Sequence, residues 1–352
     1  MPDYTRATVS QLADFDTVID VRSPAEFAED HVPGAINCPV LDNEERIRVG
    51  TLYKQDSPFA ARKIGAALVA RNIARHLDEQ LSQFSKSWKP LIYCWRGGQR
   101  SGAFTHILRE IGWSARRLEG GYKSWRHHVL VNLETLPRQF DFRVVAGPTG
   151  SGKSRLLEAL AARGAQVLHL EELAAHKGSV LGNLPDVAQP SQKMFETRLY
   201  SALAGLQPER PVFVEAESRR IGALRLPDAL NTAIHDAPCL RIEASLPARV
   251  EFLLEDYAYL CTPGHLPEQL ERLKEMQGKE RILHWQTLAG AGEYRALVVE
   301  LLRDHYDPLY ARSQQRNLAQ LEHGVVFVTA DLSPAGLQVL AGQVLDELRP
   351  AA

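Results

Sequence analysis

The chain has 352 residues, with a hydrophobic fraction of 45%, a charged fraction of 24% and a formal net charge of −2. This length exceeds what one hydrophobic core usually holds, so we expect two domains, and no apolar run is long enough to span a bilayer. The four cysteines lack C-x-x-C spacing and the N-terminus lacks a secretion signal, which argues against a disulfide framework or zinc site and favours the cytoplasm.

Apolar, β-branched runs alternate with helix-like stretches, a pattern typical of an α/β architecture with mainly parallel sheets. In the first half, strands are predicted at 17–21, 35–40, 90–95 and 115–120. Helices are predicted at 23–30, 59–84 and 101–112, the last with Ser101 at its start and Gly112 at its end. Residues 131–142 are interpreted as a linker, which gives a first domain of residues 1–136 and a second of residues 137–352.

The stretch YCWRGGQRSG places Cys94 in a cationic, flexible loop between a predicted strand and a predicted helix. Gly97 and Gly98 allow backbone conformations in which N–H groups point toward a bound anion. The helix N-terminus, Arg96 and Arg100 each favour the thiolate over the thiol. We therefore expect Cys94 to be a catalytic nucleophile, with Arg96 and Arg100 as its charged partners.

The neighbouring tryptophan and the other cysteines receive different interpretations. Cys38, Cys239 and Cys261 lie in or beside apolar stretches without a cationic loop, so we expect them to be inert. Trp95, directly after the nucleophile, would either stack on a nucleobase or pack within the protein.

The second half opens with a predicted strand at 141–147, followed by GPTGSGKS and a helix predicted from Ser154 to about residue 163. In this setting G-x-x-x-x-G-K-[ST] predicts a phosphate loop, whose backbone N–H groups and helix dipole bind phosphate oxygens. Lys153 would contact the terminal phosphates, and Ser154 normally holds a magnesium ion, so Mg²⁺ is a candidate cofactor. The predicted phosphate-binding residues are Gly147, Thr149, Gly150, Ser151, Gly152, Lys153 and Ser154.

Further strands are predicted at 165–170, 211–216, 239–244 and 324–330, and a long helical region is expected to end near residue 320. One of these strands ends in acidic residues, so Glu215 or Glu217 would orient a metal ion or a water, or would simply face solvent. Arg219 and Arg220 follow, as ligands for a bound anion or as surface charge. His176, in a loop of the same half, would approach a substrate or be exposed.

Three motifs of the first half, DVRSPAEFAEDHVPGAINCPV, CWRGGQRS and LEGGYKSW, resemble the rhodanese domain, a sulfurtransferase fold whose six-residue loop holds a cysteine persulfide. The pattern C-x5-R-[ST] also occurs in cysteine phosphatases, but Tyr93 stands where the tyrosine phosphatase pattern has His. A rhodanese-like domain followed by a P-loop domain resembles the bacterial tRNA 2-selenouridine synthase family. The resemblance extends to four further stretches: DSPFAARKIGAALVARNI, LEELAAHKGSVLG, QPSQKMFE and VEAESRRIG.

This resemblance implies an enzyme that replaces sulfur by selenium in 2-thiouridine at the wobble position of tRNA, with selenophosphate as the selenium donor. It also implies S-geranylation of the thiouridine from geranyl diphosphate, the geranylated nucleoside being the intermediate that selenium displaces. We expect the diphosphate, or alternatively ATP, at the phosphate loop, and a selanyl group on Cys94. The alternative functions are a sulfurtransferase fused to an ATP-dependent kinase or ATPase that acts on a small molecule, and a module that only docks a partner.

A tRNA substrate requires a phosphate-contacting surface. Arg62, Lys63, Arg71 and Arg75 lie on one predicted helix and are candidates for it, with a merely solvated helix face as the alternative. Further candidates in the first domain are Arg116, Arg117, Lys123 and Arg126. The sequence does not predict an oligomeric state.

Overall fold

The computed structural model describes residues 5–185, 187–261 and 265–348. Its chain folds as two compact units: the first runs to Asn132 and includes Ser191–Ser201, and the second comprises Leu133–Pro190 and the chain from Ala202 onward. Each unit contains a five-stranded parallel sheet with helices, so the predicted α/β class is confirmed. The division differs from a boundary after residue 136, because Ser191–Ser201 joins the first unit.

The sheet of the first unit has the strand order β1-β5-β4-β2-β3, with all neighbours parallel. Its strands are β1 (Arg6–Ala7), β2 (Thr17–Asp20), β3 (Ile36–Asn37), β4 (Pro90–Tyr93) and β5 (Arg116–Leu118). The four strands predicted in this half are confirmed, in shorter form. Their apolar residues form a core with Ile73, Phe104 and Leu108 of the covering helices.

The helices of the first unit are α1 (Pro24–Glu29), α2 (Asn43–Gln55), α3 (Pro58–His76), α4 (Gln99–Ile111) and α5 (Tyr122–Thr135). Helix α4 begins at Gln99, with Gly98 as its N-cap, so the prediction of Ser101 as the cap is wrong. Ser101 lies buried in the first turn. Gly112 ends the helix in the left-handed conformation, as predicted, because glycine adopts a positive φ without a Cβ penalty.

The segment predicted as a linker is largely helical. Helix α5 continues to Thr135, and a 3-10 turn covers Leu136–Gln139. Pro137 lies in the first turn of that 3-10 segment, where its missing N–H group costs no hydrogen bond.

The segment Ser191–Ser201 packs on α1 and α5. Ser191 Oγ donates to the Glu29 carbonyl and Lys193 Nζ lies 2.6 Å from Glu29 Oε1. Further along, the Tyr200 ring meets Trp125 edge to face, with centroids 5.6 Å apart. These contacts explain why a segment from the second half of the sequence belongs to the first unit.

The sheet of the second unit has the order β12-β11-β6-β8-β7, again with all neighbours parallel. Its strands are β6 (Phe142–Ala146), β7 (Gln166–Leu168), β8 (Val212–Glu215), β11 (Cys239–Ala244) and β12 (Val325–Thr329), and a separate hairpin pairs β9 (Arg220–Ile221) with β10 (Leu224–Arg225). All five predicted strands are confirmed, although β7 is short because α7 starts directly after it.

The helices of the second half, given below in chain order, confirm the long helical region predicted before β12. They are α6 (Lys153–Ala162), α7 (Leu170–Ala174), α8 (Gln192–Ala204), α9 (Asp228–Asp236), α10 (Leu246–Asp256), α11 (His265–Glu271), α12 (Lys274–Gln277), α13 (Lys279–Gly290), α14 (Tyr294–Glu300), α15 (Asp307–Asn317) and α16 (Pro334–Glu347). Between α14 and α15, residues 301–306 form a π-helical turn. Within the described ranges, no helix combines the length and apolar character needed to cross a membrane.

Candidate functional site

Two glycine-rich loops hold the predicted site residues, and we call them the cysteine loop (residues 94–100) and the phosphate loop (residues 147–154). Each loop follows the middle strand of its five-stranded sheet, β4 in the first unit and β6 in the second. In parallel sheets the loops at the carboxyl ends of the strands are the usual place for a ligand.

In the cysteine loop, Cys94 is 3% exposed and its Sγ faces the N-terminus of α4. The Gly98 N–H group donates to Sγ at 3.3 Å, and Ser101 Oγ lies 3.2 Å from it. Burial by itself raises the pKa of Cys94, but hydrogen bonds from Ser101 and Gly98 and the charge of Arg100 outweigh burial and lower the pKa. The thiol is therefore prepared to ionise, although it is buried.

The two arginines of the cysteine loop behave differently. Arg100 is held by Glu26 of α1, with Arg100 Nη1 2.9 Å from Glu26 Oε2. Burial opposes ionisation of Glu26, yet the Arg100 hydrogen bond leaves its pKa below the usual range. Arg96 is exposed and is not among the groups that lower the pKa of Cys94. The sequence did not identify Glu26, although it follows the capping residue Ser23 by three positions, as in a capping box.

The cysteine loop needs glycine where LEGGYKSW approaches it. A Cβ on Gly121, which has φ +63°, would lie 2.3 Å from the Cys94 carbonyl oxygen. A Cβ on Gly97, with φ +64°, would lie 2.9 Å from the Leu118 oxygen. This close approach lets the Tyr122 N–H group donate to the Cys94 carbonyl at 2.8 Å. The N-terminus of α5 thus fixes the backbone on which the thiol sits.

A buried ion pair lies at the end of β2, beside the cysteine strand. Asp20 and Arg22 are both fully buried, with Arg22 Nη2 2.6 Å from Asp20 Oδ2. The Arg22 guanidinium lies 3.9 Å from the centroid of the Tyr122 ring, and Tyr122 Oη donates to Asp30 at 2.8 Å. This network links Asp20 and Arg22 to Tyr122, whose N–H group donates to the Cys94 carbonyl. The two residues therefore help to position the backbone of Cys94.

The structure also shows how far Trp95 is exposed and how burial affects two of the other cysteines. The Trp95 side chain is 36% exposed and its ring centroid lies 5.3 Å from that of Tyr122, so one part packs and another faces solvent. Burial raises the pKa of Cys38 to about 12 and that of Cys239 to about 11, in agreement with inert thiols. The side chain of Cys261 lies outside what the structure describes.

The phosphate loop has the backbone that its motif predicts. Gly150 and Gly152 have φ of +82° and +75°, and Gly152 is the N-cap of α6. Lys153 Nζ donates to the Gly147 carbonyl at 2.9 Å, while the Gly147 N–H group donates to Tyr310 Oη. Burial lowers the pKa of Lys153, although neighbouring carboxylates oppose this shift.

Three glutamates surround Lys153. Ser154 Oγ donates to Glu171 Oε2 at 2.8 Å, and the carboxyl groups of Glu171 and Glu217 are hydrogen-bonded to each other. Burial and the charge of Glu215 raise the pKa of Glu171, and burial and the charge of Glu171 raise the pKa of Glu217 well above its usual range. Glu215, 1% exposed, accepts the Leu170 N–H group at 2.9 Å and so fixes the start of α7.

These oxygens suit a hard cation that is also bound by phosphate. No preformed group of three or more His, Cys, Asp or Glu ligands occurs among the described residues. Mg²⁺ commonly takes one or two protein oxygens and completes its shell with substrate phosphates and waters. Glu215 Oε1 is buried and lies 3.7 Å from His169 Nδ1, beyond ordinary hydrogen-bond distance, which agrees with an oxygen donor set of this kind.

Two further basic residues contact this region: Arg249, which the sequence did not single out, and Lys177, which the sequence places in the same loop as His176. Arg249 Nε donates to the Thr149 carbonyl at 2.8 Å, and its guanidinium pairs with Asp307. Lys177 Nζ donates to the Asp256 carbonyl at 2.7 Å and lies 4.3 Å from the Tyr257 ring centroid. Arg249 thus braces the phosphate loop.

A cavity of about 530 Å³ opens at the phosphate loop. Of the predicted residues, its walls include Thr149, Gly150, Gly152, Lys153, Ser154, His176, Glu215 and Glu217. His176 is 4% exposed, so the alternative of an exposed histidine is wrong; burial lowers its pKa and keeps it neutral. Arg219 pairs with the exposed Asp228, Arg220 lies in the β9–β10 hairpin, and neither lines this cavity.

The four basic residues proposed for tRNA are all exposed on α3: Arg62, Lys63, Arg71 and Arg75. Helix α3 contains no Asp or Glu, and in the described part of the chain these four side chains form no ion pair. Their charges are available to an anionic partner.

Both halves of this chain match known protein families. Residues 5–128 match the rhodanese-like domain family, and residues 140–282 match the family described as the tRNA 2-selenouridine synthase AAA domain. Proteins named tRNA 2-selenouridine synthase are similar to it: that of Nitrosomonas europaea is 37% identical over 74% of this chain and 69% of its own length, and that of Bdellovibrio bacteriovorus is 33% identical over 87% and 82%. That of Pseudomonas fluorescens is 34% identical over 88% of this chain and 93% of its own length. The chain therefore belongs to the tRNA 2-selenouridine synthase family.

Proposed function

We propose that this protein modifies tRNA by converting 2-thiouridine at the wobble position to 2-selenouridine, with selenophosphate as selenium donor and an S-geranyl nucleoside as intermediate. The two reactions need two anion sites, because one reactant is a diphosphate ester and the other a selenophosphate. The observation that carries the proposal is Cys94, a buried thiol whose pKa is lowered, in a chain that also contains a phosphate loop.

Geranylation is assigned to the phosphate loop. The thiouridine sulfur attacks C1 of geranyl diphosphate, so that a C–S bond forms, the C–O bond breaks and the base loses its N3 proton. Lys153 and the loop amides stabilise the charge that develops on the departing diphosphate. Mg²⁺, bound by Ser154 and a neighbouring glutamate, would supply further positive charge there.

Alkylation also explains how sulfur leaves the base. A thiocarbonyl sulfur would have to depart as sulfide, whereas the geranylated sulfur departs as a thiolate that takes up one proton. Selenium can then form the C2–Se bond while the C2–S bond breaks.

Selenium transfer is assigned to the cysteine loop and must balance its electrons. Selenium has the same formal oxidation state in selenophosphate and in 2-selenouridine, so the exchange needs no oxidant. A selanyl group on Cys94, expected from the rhodanese resemblance, would be two electrons more oxidised than selenophosphate selenium. We therefore propose that the Cys94 thiolate attacks phosphorus: an S–P bond forms, the P–Se bond breaks and hydroselenide is released toward C2 of the base. Water then hydrolyses the cysteinyl phosphate and restores the thiolate.

The surroundings of Cys94 support a phosphoryl acceptor. The Gly98 amide, Ser101 and Arg100 lie where negative charge on sulfur or a phosphoryl group would be stabilised. The exposed basic residues of α3 support an anionic macromolecule such as tRNA as the substrate.

The test incubates the full chain with tRNA that contains 2-thiouridine, geranyl diphosphate and selenophosphate, and then identifies the digested nucleosides by mass spectrometry. We expect S-geranyl-2-thiouridine when selenophosphate is omitted and 2-selenouridine when both co-substrates are present. If neither nucleoside forms while ATP is hydrolysed, the protein is instead an ATP-dependent sulfurtransferase fusion.

A further inference from the structure

Trp95 differs from the other tryptophans of the chain in its exposure and in its place beside the nucleophile. It follows Cys94 directly and is 36% exposed. All five tryptophans lie in the described ranges, and the other four are buried or half-buried: Trp88, Trp113, Trp125 and Trp285. Tryptophan with one part packed and another part in water is typical of binding surfaces, because its ring offers a large contact area.

The Trp95 ring has a fixed support on its packed side. Its centroid lies 5.3 Å from that of Tyr122, at an interplanar angle of 33°. Tyr122 is 2% exposed, and the Arg22 guanidinium lies 3.9 Å from the centroid of its ring. The Trp95 backbone is held as well, because the Lys123 N–H group donates to its carbonyl at 3.1 Å. A ligand that stacks on the exposed part of the indole therefore meets a side chain with little freedom left to lose.

Two cationic residues adjoin Trp95, namely Arg96 in the chain and Lys123 through the hydrogen bond to the Trp95 carbonyl. Both are exposed, and among the described residues neither forms an ion pair with a carboxylate. Arg96 is also not among the groups that lower the pKa of Cys94. An aromatic ring beside free cations is the combination that binds single-stranded nucleic acid, with the base on the ring and the phosphates on the cations.

We propose that the target base of the tRNA leaves its stack and stacks instead on the indole of Trp95, while Arg96 and Lys123 bind the flanking phosphates. The inference rests on the proposed selenation of tRNA at the cysteine loop. Cys94 is 3% exposed, so a neighbouring group that reaches solvent must hold C2 of the base near the sulfur. Trp95 is such a group, because its Cα lies about 3.8 Å from that of Cys94. It acts as a positioning residue and takes no part in making or breaking bonds.

Three substitutions of Trp95 separate stacking on a base from packing on Tyr122. Trp95→Ala should weaken binding of an anticodon stem–loop roughly 10- to 100-fold, which corresponds to one base–aromatic stack. Trp95→Phe keeps an aromatic face and should recover most of this loss, whereas Trp95→Leu fills space without such a face and should not. Ile111→Ala is the control, because Ile111 is 53% exposed at the far end of α4, about 18 Å along the helix from the cysteine loop.

The contribution of the cations is tested through the salt dependence of binding. Loss of one phosphate contact with single-stranded RNA should reduce the slope of log affinity against log salt concentration by about 0.7. We expect this reduction in Arg96→Ala and no change of slope in Trp95→Ala. An unchanged slope in Arg96→Ala would overturn the assignment of Arg96 to a phosphate.

The measurement uses the full chain and a stem–loop RNA with 2-thiouridine at the wobble position, by fluorescence anisotropy of a dye at the end of the stem. Binding should also quench tryptophan emission of the wild-type chain, and Trp95→Phe should lose this quenching while it keeps its affinity. Thermal unfolding checks that each variant is folded, and the comparison of Trp95→Phe with Trp95→Leu suffices if Trp95→Ala does not fold.

The outcomes separate this inference from the proposed function. Equal affinity of the wild-type chain and the Trp95→Ala and Ile111→Ala variants would overturn the inference, and so would a loss that Trp95→Leu repairs as well as Trp95→Phe does. The proposed function would then still stand if the wild-type chain forms 2-selenouridine. Binding with the expected dependence on Trp95, but without any modified nucleoside, would instead overturn the proposed function and support the stacking of the base on Trp95.

Discussion

Each of the two glycine-rich loops joins the middle strand of a parallel sheet to the N-terminus of a helix, but different chemical groups surround the two loops. In the cysteine loop, amides, a hydroxyl and a guanidinium surround a sulfur atom and favour its negative charge. In the phosphate loop, three glutamates surround a lysine, and the carboxyl groups of two of them, Glu171 and Glu217, are hydrogen-bonded to each other. The same backbone arrangement thus favours a thiolate in one unit and places a lysine beside carboxyl groups with raised pKa values in the other.

The largest effect should come from removing the nucleophile. We expect Cys94→Ala to reduce selenation by at least about 10³-fold, because Cys94 is the proposed phosphoryl acceptor, while geranylation continues. Nucleoside analysis by mass spectrometry measures both products, and Cys38→Ala is the control because its thiol stays protonated. Loss of both products in a folded Cys94→Ala variant would show that the two loops do not act separately.

The converse substitution is Lys153→Ala. Loss of a charge-assisted contact to the diphosphate should slow geranylation roughly 10- to 100-fold. Selenation of tRNA that already carries the geranyl group should be unchanged, with Lys279→Ala as a surface control. An equal loss in both assays would contradict the assignment of the diphosphate to this loop alone.

Two glycines separate the cost of backbone strain from the cost of a steric clash when each is replaced by alanine. Gly121 and Gly34 both have positive φ, but a Cβ at Gly34 meets nothing within 4 Å whereas one at Gly121 meets the Cys94 carbonyl. Gly34→Ala should lower the free energy of unfolding by about 1 kcal/mol, and Gly121→Ala by about 3 kcal/mol or more. Denaturant unfolding measures both; equal losses would mean that LEGGYKSW does not brace the cysteine loop.

The pH profile of Cys94 gives a smaller effect. A lowered pKa means that the thiolate is present at lower pH than for an ordinary cysteine and is lost only as the pH falls through that value. Ser101→Ala removes a hydrogen bond that stabilises the Cys94 thiolate. In this variant, alkylation of Cys94 by iodoacetamide should shift to higher pH and slow several-fold at neutral pH. An unchanged profile would assign the shift to Arg100 and Gly98 instead.

The smallest effect concerns the acids of the phosphate loop. Because burial raises the pKa of Glu217 well above its usual range, this carboxyl gains its charge at a higher pH than an ordinary glutamate does. That charge repels a diphosphate, so affinity for inorganic diphosphate should fall a few-fold with rising pH in the wild-type chain. Glu217→Gln should remove this dependence in titration calorimetry, and a persistent decline would point to another group, such as Lys153.

The parts of the fold and site that the sequence predicts are those fixed by local pattern. Both anion loops, the central strands and Gly112 were found, because each depends on residues adjacent in the chain. Glu26 and Glu171 were missed as partners of Arg100 and Ser154, since only the folded sheets bring such residues together. Helix α4 started earlier than expected because Gly98, rather than a side-chain cap, precedes it.

The long-range features of the second half were not predictable in the same way. An apolar cavity in the second unit has walls from α10, α11 and α14, among other segments, and no motif connects these helices. Arg249 resembles any helical surface arginine in the sequence, and only its contact with the Thr149 carbonyl reveals its role. The membership of Ser191–Ser201 in the first unit likewise depends on α5.

That interleaved segment has a consequence for synthesis on the ribosome. The first unit cannot be completed when its last consecutive residue, Asn132, has been synthesised, because Glu196 and Tyr200 lie 64 and 68 residues further along the chain. Until then Arg126 lacks its carboxylate and Trp125 lacks its aromatic neighbour. We expect a truncated fragment that stops near residue 136 to be a target for chaperones and proteases, whereas a chain that extends past residue 201 can close its first unit.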